Sequence, residues 1–206
     1  MRVGILGGSF NPPHRGHLAL AETVLELDLV DRVCLIPAAV PPHKAIPDET
    51  PEIRFAMTRL LADESDCIDV DDIELRRTGP SFTIDTLHQL QTRHPEWHFR
   101  LIIGSDLAKS FATWRSYREI LHLAPPLVAE RPDSMFSGDD FQSLREDEAD
   151  IMARGLFPMV HVDVNSTMVR SLVAKGADDA MLLTLVTPPV LEFVRKHNLY
   201  RHETEY

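Results

Sequence analysis

The stretch Arg2-Val3-Gly4-Ile5-Leu6-Gly7-Gly8-Ser9-Phe10-Asn11-Pro12-Pro13-His14-Arg15-Gly16-His17 decides the fold of this 206-residue chain. Arg2 to Leu6 is apolar on both faces and closes on Gly7-Gly8, the pattern of a short strand buried in a parallel sheet. Ser9-Phe10-Asn11-Pro12-Pro13 follows, and its two prolines keep it from being helical. From His17 onward, Leu18, Ala21, Val24 and Leu25 recur at helical spacing. A second apolar run, Val33 to Ile36, ends at Pro37. Strand, glycine loop, helix and strand make a βαβ unit.

The alternation continues outward. Glu52 to Ala62 has helical periodicity, and Ile68 to Glu74 predicts one or two short strands. Ser81 to Arg93 predicts a helix with Ile84, Leu87 and Leu90 on one face. Phe99 to Ile103 predicts a strand ending at Gly104-Ser105-Asp106. Tyr117 to Leu123 reads as a helix, Leu127 to Ala129 as a strand and Val160 to Val164 as a further strand. Ser166 to Ala174 and Pro189 to His197 read as helices, whereas the polar stretch Pro132 to Gly155 predicts loop and surface helix. Together these predict an α/β fold, a doubly wound, Rossmann-like parallel sheet. The length predicts a single domain over 1–206, with a helical C-terminal part from about residue 166.

Charge narrows the partners. Lysine plus arginine is 21 and aspartate plus glutamate is 32, a net charge of −11. So acidic a surface repels nucleic acid and anionic lipid, so neither is an expected partner. The acidic excess collects from Asp63 to Glu74 and from Asp139 to Asp150, and both segments read as solvated faces. No apolar run approaches the roughly 20 residues that span a bilayer. The N-terminus lacks a signal-peptide pattern. Two cysteines, Cys34 and Cys67, are too few for a disulfide framework, so a cytoplasmic, reducing setting is expected.

Ligands of open parallel sheets bind beyond the carboxyl ends of the strands. Gly7 and Gly8 permit positive φ and close approach to backbone. His14 and His17 fall around the first turn of the following helix, where free N–H groups and the helix dipole favour an anion. A phosphate site is the expectation. A dinucleotide fingerprint is absent, because the glycines stand at 4, 7, 8 and 16. A zinc reading of the two histidines lacks a third ligand. Near the other end, Asn165 or Ser166 can cap a helix. The hydroxyls of Ser166 and Thr167 and the guanidinium of Arg170 then make a second anion site. Asp106 could accept from ribose hydroxyls, and Thr83 opens a helix whose amides could receive a small carboxylate.

Gly7 to His17, with His14-Arg15-Gly16-His17 at its end, resembles the first signature of the nucleotidyltransferases of the cytidylyltransferase-like superfamily. Its Gly-Gly-Ser-Phe-Asn-Pro-Pro-His portion is similar to that of the bacterial nicotinate mononucleotide adenylyltransferases. Ser166, Thr167 and Arg170 resemble the second, Ser-Thr-x-x-Arg signature, with Val164-Asn165 where Ile-Ser is usual. Pro41-Pro42-His43-Lys44, Ser81 to Leu87, Gly104 to Asp106, Phe111 to Tyr117 and Leu199-Tyr200 extend the likeness, and Ser134 to Leu156 stands outside it.

The resemblance implies adenylyl transfer from ATP to nicotinate mononucleotide, with Mg²⁺ arriving on the ATP and no metal site of the protein's own. It implies catalytic roles for His14, His17 and Arg170. For ATP and its phosphates it implies Gly7, Gly8, Ser9, Phe10, Lys44, Gly104, Asp106, Arg131, Ser166 and Thr167. For the mononucleotide it implies Asn11, Thr83, Ile84, Asp106, Trp114 and Arg115, the indole stacking on the pyridine ring. Monomer and homo-oligomer both stay open. Another transfer of the superfamily, such as to pantetheine phosphate, is disfavoured by Trp114 and the loop. A non-catalytic nucleotide sensor is disfavoured by the intact histidines and Ser-Thr-x-x-Arg.

Overall fold

The computed structural model describes residues 1–42, 47, 49–130, 143–159 and 162–201. Among them, strands β1 (Arg2–Gly8), β2 (Arg32–Pro37), β3 (Ile68–Val70), β4 (His98–Gly104), β5 (Pro126–Glu130) and β6 (Leu156–Pro158) form one sheet. Its order is β3-β2-β1-β4-β5-β6, and every neighbouring pair is parallel. β1 lies at the centre, with Ile5 opposite Cys34 of β2 and Leu101 of β4. The chain runs outward from β1 to β3 and then returns to the other side of β1. That reversal opens a crevice at the carboxyl ends of β1 and β4.

Helices cover both faces, which is why the strands are apolar throughout. Leu6, Leu35 and Ile102 pack with α1 (Arg15–Glu26), α2 (Pro51–Ala62), α7 (Ser166–Ala174) and α9 (Pro188–Lys196), through residues such as Leu18, Met57, Val169 and Val190. Val3, Ile5, Leu101 and Ile103 pack with α3 (Thr83–Arg93), α5 (Tyr117–Leu123) and α6 (Glu146–Arg154), through Leu87, Ile120 and Met152. Each such side chain contributes roughly 1.5–3 kcal/mol when fully buried. Two short helices, α4 (Ser105–Lys109) and α8 (Asp179–Leu182), complete the framework. No helix among the described residues is long and apolar enough to cross a membrane.

Several sequence expectations are corrected here. Of the strand expected at Val160 to Val164, residues 160 and 161 lie outside the described residues and 162–165 are not a strand; among the described residues the last strand is Leu156–Pro158. Gly155 leads into it so close to β5 that a Cβ would stand 1.9 Å from the Pro126 carbonyl oxygen. The apolar residue Val164 instead packs against the first core cluster. Of the one or two short strands expected over Ile68 to Glu74, one forms, β3, as expected, and Ile73 to Arg76 form a turn. The acidic segments are not wholly solvated. Glu74 is 6% exposed and Glu148 is 3% exposed. Glu148 accepts from Arg118 Nε at 2.8 Å, Arg145 Nε at 2.9 Å and the Arg145 amide at 3.0 Å, which ties α6 to α5.

Candidate active site

The loop after β1 is built on a division of labour among its residues. Neither Gly7 nor Gly8 has positive φ; the left-handed position is taken by Phe10, at φ 47°. This corrects the expected use of the glycines. A Cβ on Gly7 would meet nothing within 4 Å, so its missing side chain leaves open space. A Cβ on Gly8 would come within 3.2 Å of the Phe10 ring. That ring is fully buried, and its burial holds a conformation that a bulky residue seldom adopts.

Four carbonyls of this loop, those of Gly8, Ser9, Asn11 and Pro12, accept hydrogen bonds from elsewhere in the fold. The Ala38 amide donates to Gly8 O at 2.8 Å, Arg54 Nη1 to Ser9 O at 2.7 Å, and Arg170 Nη1 to Asn11 O at 2.8 Å. Ser166 Oγ donates to Pro12 O at 2.9 Å, and the Tyr200 hydroxyl donates to Asn11 Oδ1 at 2.7 Å. A loop whose carbonyl dipoles point into donors presents fewer negative atoms to an approaching anion. The two sequence signatures, 154 positions apart, therefore meet at Asn11-Pro12.

His14 caps α1, and its amide donates to His17 Nδ1 at 3.2 Å. The two rings lie 3.7 Å apart, and Phe10 stands 4.7 Å from the other ring of the pair, His17. His14 is 8% exposed, and burial pulls its pKa down to about 4. Its ring is therefore neutral at pH 7, and the charge that a protonated histidine would bring is absent there. Gly16 makes this packing possible: a Cβ would fall 3.0 Å from His14 Nδ1 and 3.1 Å from Val164 Cγ1. Among the described residues no group of three His, Cys, Asp or Glu side chains gathers to hold a metal.

In the second cluster the cap is Asn165, whose Oδ1 accepts from the Met168 amide at 2.8 Å. Ser166 is thereby released to hold Pro12. Thr167 is exposed, and its Oγ1 accepts from Arg170 Nη2 at 3.2 Å.

Next to the loop, a pocket of about 180 Å³ opens at the switch point. Gly7, Gly8, Ser9, Thr83, Trp114 and Arg115 line it, as do Phe82, Leu107 and Glu74. Trp114 is half-buried, with its ring 5.4 Å from that of Phe111. Arg115 lies 4.8 Å over the Phe82 ring and 3.3 Å from Asp85. Thr83 is the first residue of α3, while Ile84 is 3% exposed, belongs to the core and is not among the residues that line the pocket. Gly104 caps α4, so Asp106 is no cap; it is exposed in that helix's first turn. His14, His17, Ser166, Thr167 and Arg170 gather at the far end of the loop, outside the pocket wall. Lys44 and Arg131 lie outside the described residues.

Sequence reasoning missed a polar group in the pocket wall. Thr86 Oγ1 donates to Glu74 Oε1 at 2.5 Å, and Arg77 Nη2 donates to Thr86 Oγ1 at 2.8 Å and to Phe82 O at 3.2 Å. Burial pushes the Glu74 carboxyl above its ordinary value. The available signal was Thr86 interrupting the apolar face of α3. Arg54, buried in α2, was missed as well.

A parallel sheet of this order, with two helix N-termini converging on a glycine loop, defines a nucleotide-binding α/β protein. Residues 5–172 match the model of the Cytidylyltransferase-like family, and the chain belongs to that family. It is 38% identical over 205 residues to a protein of Symbiobacterium thermophilum named "Probable nicotinate-nucleotide adenylyltransferase", covering 97% of this chain and 95% of the other. A Synechococcus protein of the same name is 36% identical, with 97% and 94% covered. These relatives set the chain among the nicotinate-nucleotide adenylyltransferases. In fold it is similar to Plasmodium falciparum nicotinic acid mononucleotide adenylyltransferase complexed with NaAD, with a TM-score of 0.77, 18% identity and 99% of each chain covered.

Proposed function

We propose that this chain transfers the adenylyl group of ATP to nicotinate mononucleotide, giving nicotinate adenine dinucleotide and pyrophosphate, a step of NAD biosynthesis. The observation that carries the reading is the convergence of the two signatures on Asn11-Pro12 beside a pocket walled by Trp114. A 5′-phosphate oxygen of the mononucleotide attacks the α-phosphorus of ATP. The bond from that phosphorus to the oxygen bridging to the β-phosphorus breaks, and pyrophosphate leaves with the electron pair. The second pKa of a phosphate is about 6, so the nucleophile is ionised at pH 7 and needs no base. Catalysis is then positioning and charge stabilisation.

The loop amides of Gly8 to Phe10, the rings of His14 and His17, the hydroxyls of Ser166 and Thr167 and the guanidinium of Arg170 are assigned to the phosphates. Lys44 and Arg131 join them by resemblance. Gly104 and Asp106 are assigned to ribose. Trp114 stacks on the pyridine ring, with Arg115 beside it, and the amides opening α3 at Thr83 and Ile84 receive its carboxylate. Asn11, held by Tyr200 outside the pocket lining, is assigned to the mononucleotide by resemblance alone. Magnesium bound to ATP would neutralise triphosphate charge. It keeps several of its waters and so needs few protein ligands. The one sheet with a core on each face supports a single domain, and the free thiols of Cys34 and Cys67 accord with a cytoplasmic setting.

Pyrophosphate release from ATP, measured with nicotinate mononucleotide, nicotinamide mononucleotide and pantetheine phosphate as acceptors, tests the reading. Release should be fastest with the first. Turnover confined to pantetheine phosphate, or no turnover with any of them, would overturn it.

A further inference from the structure

Arg54 is the largest side chain buried with no measurable exposure, at 0%. Its fork reaches three separate backbone segments. Nη1 donates to Ser9 O at 2.7 Å, Nη2 to Ala39 O at 3.1 Å and Nε to Glu49 O at 3.2 Å. All three acceptors are neutral carbonyls. Burial draws its pKa below the ordinary arginine value, yet a guanidinium stays protonated near neutrality. The arrangement is expensive: a buried charge loses its hydration, and carbonyls return only part of it. An apolar side chain at this position near the start of α2 would satisfy packing at less expense. What the charge adds is a positive field directly behind Ser9, and a brace between the loop after β1 and the segment after β2. Both of those line the pocket, through Ser9 and through Ala38, Pro41 and Pro42.

We infer that Arg54 is a positioning residue for the triphosphate: it holds the Gly8–Asn11 loop against the segment after β2 and presents a fixed buried positive charge behind the loop. An anion in front of the loop then meets carbonyls already polarised away from it, and the field partly offsets a net charge of −11. The inference rests on the loop being the ATP phosphate cradle.

The test compares R54K, R54Q and R54M with the wild type, using calorimetric ATP binding and steady-state KM for each substrate, with far-UV circular dichroism to follow folding. ATP affinity should fall about tenfold or more in R54Q and R54M, the scale of losing hydrogen bonds to a charged group. The mononucleotide KM should stay within about twofold, because the ring's side of the pocket is formed by Trp114 and the start of α3, to which Arg54 donates no hydrogen bond. R54K keeps the charge but not the fork, so its loss should be about threefold, between the two extremes. Wild-type ATP affinity in folded R54Q or R54M overturns the inference, as does equal weakening of both substrates. Should the neutral variants not fold, R54K decides: ATP KM raised with the mononucleotide KM unchanged supports it, and wild-type constants overturn it. ATP binding is read without an acceptor, so a wild type that binds ATP but ignores nicotinate mononucleotide would sink the proposed reaction and leave this test standing.

Discussion

His14 and His17 stand one helical turn apart and share a ring contact, yet their surroundings differ: His14 is buried and His17 half-buried. The folded-state pKa of His14, about 4, lies below the ordinary value of 6.5. Between those two values the unfolded chain binds a proton that the folded chain refuses, so stability falls as pH falls through that window. Urea unfolding at pH 7 and pH 5 should show a loss of about 2 kcal/mol in the wild type from this group. In His14→Gln that increment should vanish, and an unchanged pH slope would contradict the burial argument. His17 is the residue assigned to transition-state charge. His17→Ala should lower turnover by roughly 10²–10³ while the fold survives. Near wild-type turnover, or loss of the far-UV signal, would count against the role.

At the scale of elements, α6 depends on a single carboxylate. Glu148 is held down to about a pKa of 2, first by the Arg145 amide and against its desolvation, with further help from Arg118, Arg145 and Tyr117. The folded value is depressed, so the contribution is present above the ordinary value of 4.5 and is lost as pH falls toward 2. Glu148→Gln should therefore lower the melting temperature at pH 7, and the gap from wild type should narrow by pH 3 and close only as pH falls to about 2 and below. A constant gap would show that packing rather than charge holds α6. This helix also marks where the sequence stops being legible. β1, α1, β2 and β4 could be read because periodicity and turn residues agreed. β6 could not, since three residues ending in Pro158 carry no alternation, and Val164 mimics a strand while packing on Gly16. The site was legible where chemistry is local, as in Gly7 to His17. It was illegible where one side chain reaches across the chain, as Arg54 does to Ser9 and Glu74 does to Thr86. An acidic run gives no sign of which carboxylate finds a partner.

Across the whole molecule, the pocket exists only because the sheet order reverses between β1 and β4. It draws its walls from the loop after β1, the segment after β2, the start of α3 and the turn at Trp114. On the proposed reading, stacking and carboxylate recognition come from different parts of the chain, and they should separate in experiment. The indole covers a nicotinate or a nicotinamide ring equally well. Discrimination then falls to donors that meet the carboxylate, a role proposed for the amides at the start of α3, where Thr83 lines the pocket on a helix anchored through Thr86 to Glu74. Hydrogen bonds to a charged group are worth roughly 1.5–3 kcal/mol each, and an amide would set its own N–H₂ against those donors. Catalytic efficiency should thus favour nicotinate mononucleotide by at least about 10²-fold. Trp114→Ala should weaken both substrates and leave their ratio within about tenfold of the wild type, since stacking does not read the substituent. Equal efficiencies for the two mononucleotides in the wild-type enzyme would remove the carboxylate site and leave adenylyl transfer intact. A ratio that collapses in Trp114→Ala would move the discrimination from the start of α3 to the indole.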